Sequence, residues 1–545
     1  MLPPPTRPTV PRQILTRILD EPNLVAAVQA LPARALGKLI EHVGLEDCGE
    51  IVALATTQQL KGIFDDDLWC SERPGKDESF DAQRFALWLE IMLEAGEDFA
   101  AQKLAELPED LVTLALYKNI LVINIEQLAM ARSEGPSDDD GLTEKALESC
   151  LCEEIDEYRI ISRFHEGWDA ILSVLLALDR AHHDFLARVL EHCCHMATEY
   201  IDDNGGLYQV LTSDAMLESD VGADREDRRA EEGFVAPSSA ASFLALARTT
   251  DLAEIMAAKK RDPVTHAYFR SLRGQSRTVP DPDSAPARAT AAAEAAPLVE
   301  LLRDAEVLPP AGGPMLLLQA PPDASRTHED GVFTQAMRTL RAQKDDLYEQ
   351  RMEELAYLTN VLAAGCAIEG RSMRPLEAAH AAVATCNLGL DRLLQDEPAQ
   401  ATASTMLRQE SIDKLFRMGW RLLAQDVQLP AARALDNLLT REARREGDGE
   451  RTRRLEQANR TLHAAIATGK PWTALGRLTA LQTDLDAATL ATLLALMDEC
   501  PTLRGELAAQ ARAAQEDARQ ELRFISMGQQ LRSVQAFLAH TIAKP

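Results

Sequence analysis

An all-α protein, with an N-terminal superhelical array of stacked short helices followed by further helical domains, is what this sequence predicts, on three observations. Ala and Leu dominate a chain whose hydrophobic residues reach 46% while aromatics reach only 5%, and that mixture favours helix over sheet. Apolar residues recur at helical spacing along most of the chain. Near the N-terminus the helical runs are short and separated by Pro, Gly and acidic joints, so they gain stability by stacking on neighbours.

The elements follow in order. Leu31-Pro32 opens a helix carrying Leu36, Leu39, Ile40 and Val43, and Gly44 stops it. Ile51, Val52 and Leu54 mark the next helix. Leu60, Ile63 and Phe64 mark another, read as ending at an acidic turn, Asp65 to Asp67. Asp81 caps a helix with Phe85, Trp88, Leu89 and Met92 on one stripe. The Leu-Pro opening recurs at Leu107-Pro108, which suggests a degenerate repeat within an array spanning residues 1–133. Glu134 to Asp140 combines Gly, Pro and a charge run and reads as a boundary.

A middle, mainly helical domain is expected over 134–274. It centres on a long helix carrying Ile171, Val174, Leu178, Phe185 and Leu190, with minor β structure at 158–162 and 207–211. Residues 275–329 read as a Pro/Ala-rich linker holding a short helix near Leu298 to Val307. A C-terminal helical domain is expected over 330–545, with Phe333 to Leu362 and Leu531 to Ile542 in helical period.

The net charge of −29 argues against nucleic acid as a partner. The N-terminus carries five prolines and no apolar run of signal-peptide type, and the stretch Ala170 to Leu178 is too short to span a bilayer, so neither export nor membrane insertion is expected. Nine cysteines without regular spacing read as reduced thiols in a cytoplasmic protein.

On Leu31 to Trp69 and the Leu107 start, the first 130 residues resemble the cytoplasmic helical domain of MgtE-type magnesium transporters, which is built from short paired helices with Leu-Pro openings and acidic turns. The resemblance implies a fold. It carries no transport activity, because the chain shows neither the nucleotide-binding modules nor the membrane helices of that family. Over its full length the chain resembles a family of bacterial cytosolic proteins known as a domain of unknown function, on EELAYLTNVLAAGC (Glu353 to Cys366), ATCNLGLD (Ala384 to Asp391) and RRAEEGFVAP (Arg228 to Pro237).

The most chemical-looking cluster is His182-His183 with His192-Cys193-Cys194-His195. His192 and His195 lie one turn apart and could share a zinc ion if other elements completed its shell. The structural reading packs Cys193 and hydrogen-bonds the histidines. Cys150-Leu151-Cys152 lacks the spacing of a zinc knuckle or redox pair. Cys366 and Cys386 read as buried. Asp65 to Asp67 could hold a hard cation. Gly469-Lys470 lacks the upstream glycine and following hydroxyl of a phosphate loop. His165-Glu166 lacks the second histidine of a zinc protease. The Arg441 to Arg460 run reads as a solvated face held by ion pairs.

With no catalytic, cofactor or metal residue assigned and no cofactor expected, the reading is a cytoplasmic helical scaffold or protein-interaction protein with an unidentified protein partner, a non-enzymatic role being favoured over an enzymatic one. The alternative is a metal-binding sensor or metal-dependent enzyme built on the histidine cluster.

Overall fold

In a computed structural model, the described residues are 11–19, 21, 23–71, 73–126, 150–202, 212–258, 264–266, 268–269, 284–305, 307–308, 331–343, 347–396, 402–446, 449–505, 507–508 and 523–543. They are predominantly helical and fall into two compact units. The first comprises residues 1–71, 78–229 and 279–310, and the second 72–77, 230–278 and 311–545. The expected boundary at Glu134 to Asp140 and the expected strand at 207–211 lie outside the described residues.

In the first unit, short helices follow one another as expected: Leu24–Ala30, Ala33–Val43, Gly49–Leu54 and Thr57–Asp67. A capping box starts the last of these. Thr56 Oγ1 accepts from the Gln59 N–H, and the Gln59 side chain accepts from the Thr56 N–H. The buried Gln59 amide also donates to the Val28 and Leu31 carbonyls at 2.7 and 2.8 Å, tying this helix to the end of Leu24–Ala30. Leu36, Leu39, Ile40, Leu60, Ile63 and Phe64 are all buried, as their spacing requires.

Strands β1 (Trp69–Cys70) and β2 (Ser79–Phe80) pair antiparallel. Helices Ala82–Glu94, Glu97–Glu106 and Glu109–Asn119 follow, and the last runs directly into β3 (Ile120–Asn124). With β4 (Cys152–Ile155) and β5 (Tyr158–Ser162) it forms an antiparallel sheet of order β3-β5-β4. The strand expected at 158–162 is therefore present. Its partner β3 was missed because Ile-Leu-Val-Ile continues an apolar helical run without punctuation, although its β-branched residues favour a strand. The expected long helix is two, Trp168–Ala181 and His183–Asp202, with the break at His182. Helix Ser284–Asp304, within the expected linker, packs in this unit through Leu298 and Leu302.

In the second unit, helices Pro375–Asp396 and Ile412–Leu422 cross closely. Gly389 and Gly419 each face backbone of the opposing helix: a Cβ on Gly389 would lie 1.9 Å from the Leu415 carbonyl oxygen, and one on Gly419 2.0 Å from that of Thr385. A buried ion pair stiffens the same region. Arg351 Nη1 contacts both Glu354 oxygens at 2.9 Å, while Glu354 Oε2 accepts the Ile412 N–H and Arg351 Nε–H donates to the Leu407 carbonyl.

Beyond Leu422 the helix continues as a π-helical segment, Leu423–Gln428, and then as Leu429–Glu446. Pro430 sits just past this segment. It has no N–H to donate to Asp426, and its ring crowds that carbonyl, which the wider π turn relieves. Strands β6 (Ala367–Ile368) and β7 (Arg371–Ser372) form a small hairpin with Glu369 and Gly370 at its tip, both in the left-handed region (φ 52° and 78°). Cys366 and Cys386 are fully buried, as expected. No helix among the described residues is long and apolar enough to cross a membrane.

Candidate functional site: a cationic cavity in the second unit

A cavity of about 570 Å³ opens in the second unit, a volume typical of small-molecule sites. Its apolar wall includes Leu244, Leu475, Leu494 and Trp472. Five cationic side chains line it, Arg73, Lys76, Arg248, Lys470 and Arg504, against three carboxylates, Glu369, Asp498 and Glu499. A local cationic excess inside a chain of net charge −29 is the reverse of what composition dictates.

Both lysines are delivered by the same local device. Arg73-Pro74-Gly75-Lys76 forms a tight turn in which the Lys76 N–H donates to the Arg73 carbonyl at 3.3 Å, with Pro at its second position and Gly75 at φ 78° in its third. These are the residues a type II turn selects. The other turn ends helix Glu450–Ala467. There the Gly469 N–H donates to the Ile466 carbonyl and the Lys470 N–H to that of Ala465, both at 3.0 Å, with Gly469 at φ 69°. That is a Schellman cap, which requires a left-handed residue at the glycine position. In both turns a left-handed glycine is followed at once by a lysine that lines the cavity.

Arg248 is the buried one of the five cations, at 9% exposure, while the other four are exposed. Its guanidinium carbon is 3.8 Å from the Trp472 ring centre and 5.3 Å from that of Trp420, so π faces attract the cation from both rings. Nη2–H donates to the Glu499 carbonyl at 3.3 Å. The buried Nε–H has no acceptor among the described residues. Burial lowers the guanidinium pKa, and the nearby Glu499 opposes that.

The carboxylates hold the hairpin against the end of helix Ala487–Met497. Asp498 accepts N–H groups from Glu369 at 2.8 Å and Glu499 at 2.7 Å, and Glu499 Oε2 accepts from Ala367 at 2.9 Å. Gln428, on the π-helical segment, donates to the Asp498 and Glu499 carbonyls at 2.6 and 3.0 Å. At the hairpin tip, Glu369 pairs with Arg504. Burial lifts the Asp498 carboxyl to about 7 against the pull of the Glu499 N–H. Burial also raises Glu499, opposed by the Ala367 N–H and by the charges of Arg248, Arg73 and Lys470.

The sequence-derived candidates are placed elsewhere. His192 and His195 are exposed, and neither joins a group of three prospective ligands among the described residues. Cys193 is fully buried, with its thiol 3.7 Å from the Thr113 carbonyl and its pKa pushed up to about 12 by burial, so it packs as the structural reading expects. His183 instead meets Asp179 (2.9 Å) and Asp156 (3.8 Å). Prospective ligand atoms of the three lie within 4.8 Å of one another, and hydrogen bonding from Asp179, then the charge of Asp156, raises the imidazole pKa.

Asp65 to Asp67 are not a turn but the last residues of a helix, and arginines engage all three. Arg228 grips Asp65 at 2.7 and 2.8 Å, Arg229 lies 3.4 Å from Asp66, and Arg84 binds Asp67 at 2.7 and 3.1 Å. Within the Arg441 to Arg460 run, Arg445 pairs with Glu442 along the helix, while Arg454 reaches Asp484.

Sequence reading missed the cavity. Its one legible trace is the Gly-Lys dipeptide at Gly469-Lys470, whose twin at Gly75-Lys76 is almost four hundred residues away. Arg248 carries no motif.

The family model described as a family of unknown function (DUF6178) matches residues 7–482. The matched span includes Arg73, Lys76, Arg248, Lys470 and Trp472, and Asp498, Glu499 and Arg504 lie beyond it. No curated protein and no solved structure matches the chain. The chain belongs to this family of unknown function.

Proposed function

We propose that the second unit binds a small organic anion in the Arg248 cavity, and that the protein works in the cytoplasm as a ligand-binding helical protein. The observation that carries this is Arg248: a guanidinium, 9% exposed, that lines the cavity beside two tryptophans. Holding a cation in a largely apolar surround costs desolvation free energy, and an anion in the cavity is the group that would offset it. All nine cysteines are free thiols, which suits a reducing compartment. The scaffold role drawn from the short helices rests on helix length and composition, and the cavity adds a specific chemistry to it.

Titration calorimetry with small carboxylates and phosphates tests the proposal. Arg248→Met, which keeps much of the apolar stem, is expected to weaken anion binding about 30-fold, the loss of a charge-assisted hydrogen bond of roughly 2 kcal/mol. Absence of binding to the unaltered protein by every anion tried rules the reading out, provided its melting curve shows a folded protein.

The metal-binding alternative moves from His192 and His195 to Asp156, Asp179 and His183, the group whose ligand atoms converge in the first unit. Zinc or manganese titration is expected to show one site lost in His183→Ala. Equal uptake by the variant would leave these three residues as an ion-pair cluster.

A further inference from the structure

We propose that the anion is a phosphate monoester with an apolar or aromatic body, its phosphate held between the Gly75-Lys76 and Gly469-Lys470 turns and its body laid on the Leu244, Leu494 and Trp472 wall. This rests on the anion-binding reading and adds the ligand's class and orientation. Charge is the first argument. The cavity carries two more cationic than anionic side chains, and a phosphate monoester near pH 7 carries about −1.5 to −2.

Delivery is the second argument. The two lysines reach one cavity from turns that have nothing else in common. One is a Pro-Gly turn and the other a helix cap, yet each fixes the lysine's backbone immediately after a left-handed glycine. Lysine ammonium groups bind phosphate oxygens as point charges without needing the planar geometry that arginine imposes on a carboxylate. Two such charges lining one cavity from separate turns suit a tetrahedral group with three terminal oxygens.

Volume and polarity supply the third. A cavity of about 570 Å³ far exceeds inorganic phosphate, and its leucines and Trp472 offer nothing to a fully hydrated ion. An organic body on that wall would bury apolar surface, which is favourable at about 25 cal/mol per Å².

The experiment is calorimetry on the full chain at fixed ionic strength with phenyl phosphate, benzoate and inorganic phosphate. Phenyl phosphate is expected to bind at least tenfold more tightly than either of the others. Lys76→Ala and Lys470→Ala are each expected to weaken it about tenfold while changing benzoate affinity less than threefold. Both lysines are exposed, so the variants should keep the parent's melting temperature, which is checked first. Equal affinity for benzoate and phenyl phosphate overturns the phosphate assignment and leaves the anion site standing. Tight phenyl phosphate binding that ignores both lysine variants overturns the placement. Failure of all three probes, extended to the wider anion panel, overturns the anion site itself.

Discussion

Gly419→Ala is expected to lower the stability of the second unit by roughly 3 kcal/mol, the upper part of the range for overpacking a tight interior. The added Cβ would lie 2.0 Å from the Thr385 carbonyl oxygen and 3.1 Å from its methyl carbon. Backbone cannot rotate aside as a side-chain tip can, so the two helices must part. Parting them opens the contacts of Leu415, Phe416 and Leu388, all at most 1% exposed. Gly389→Ala strikes the same crossing from the other side, 1.9 Å from the Leu415 carbonyl, and the double variant should cost less than the sum because one separation relieves both clashes. Gly37→Ala is the control. Its Cβ would meet Ile63 at an ordinary 3.5 Å, and the helix propensity of Ala should make that change neutral or stabilising by about 0.5–1 kcal/mol. Calorimetric melting of the three single variants decides the matter, and a Gly419→Ala protein as stable as Gly37→Ala would refute the close crossing.

The second expected result is a stability that falls as pH rises through mild acidity. Asp498 ionises near its ordinary value of 3.8 in the unfolded chain and at about 7 in the folded one. Between these pH values the folded protein holds a proton that the unfolded chain has released, so raising the pH favours unfolding. Well below pH 3.8 both forms are protonated and the penalty is absent. Well above pH 7 both are ionised and it is complete, roughly 4 kcal/mol for a shift of this size. Glu499 is raised for the same reason and acts in the same direction. Asp498→Asn should flatten the pH 4–7 slope measured by denaturant titration while leaving the smaller Glu499 share. An unchanged slope would place the titration elsewhere.

Elements whose signal is local were legible. The buried stripes of the short N-terminal helices, the Asp81 cap, the strand at Tyr158–Ser162 and the buried Cys366 all follow from spacing or residue type. Asp81 does accept the Arg84 N–H at 3.0 Å. Features created by distant partners were not legible. Asp65 to Asp67 look like a solvated acidic turn until Arg84, Arg228 and Arg229 arrive from remote segments. β3 needs β5 to become a strand. The cavity gathers chain from residues 73 to 504, and no window of sequence contains enough of it to show a pattern.

The π-helical turn before Pro430 makes one continuous rod serve two phases. An extra residue in a turn advances every later side chain by roughly 100° relative to an unbroken α-helix. Ahead of the offset, the rod's orientation is dictated by Gly419 against Thr385. At its end Gln428 reaches the Asp498 and Glu499 carbonyls, and behind it Ala431, Ala432, Leu435 and Leu439 are buried. Excising a single residue from Leu423–Gln428 would leave composition and hydropathy almost untouched, yet the two halves could no longer both be in register with their surroundings. The chain's tolerance to length change in this stretch is therefore set by angle rather than by volume.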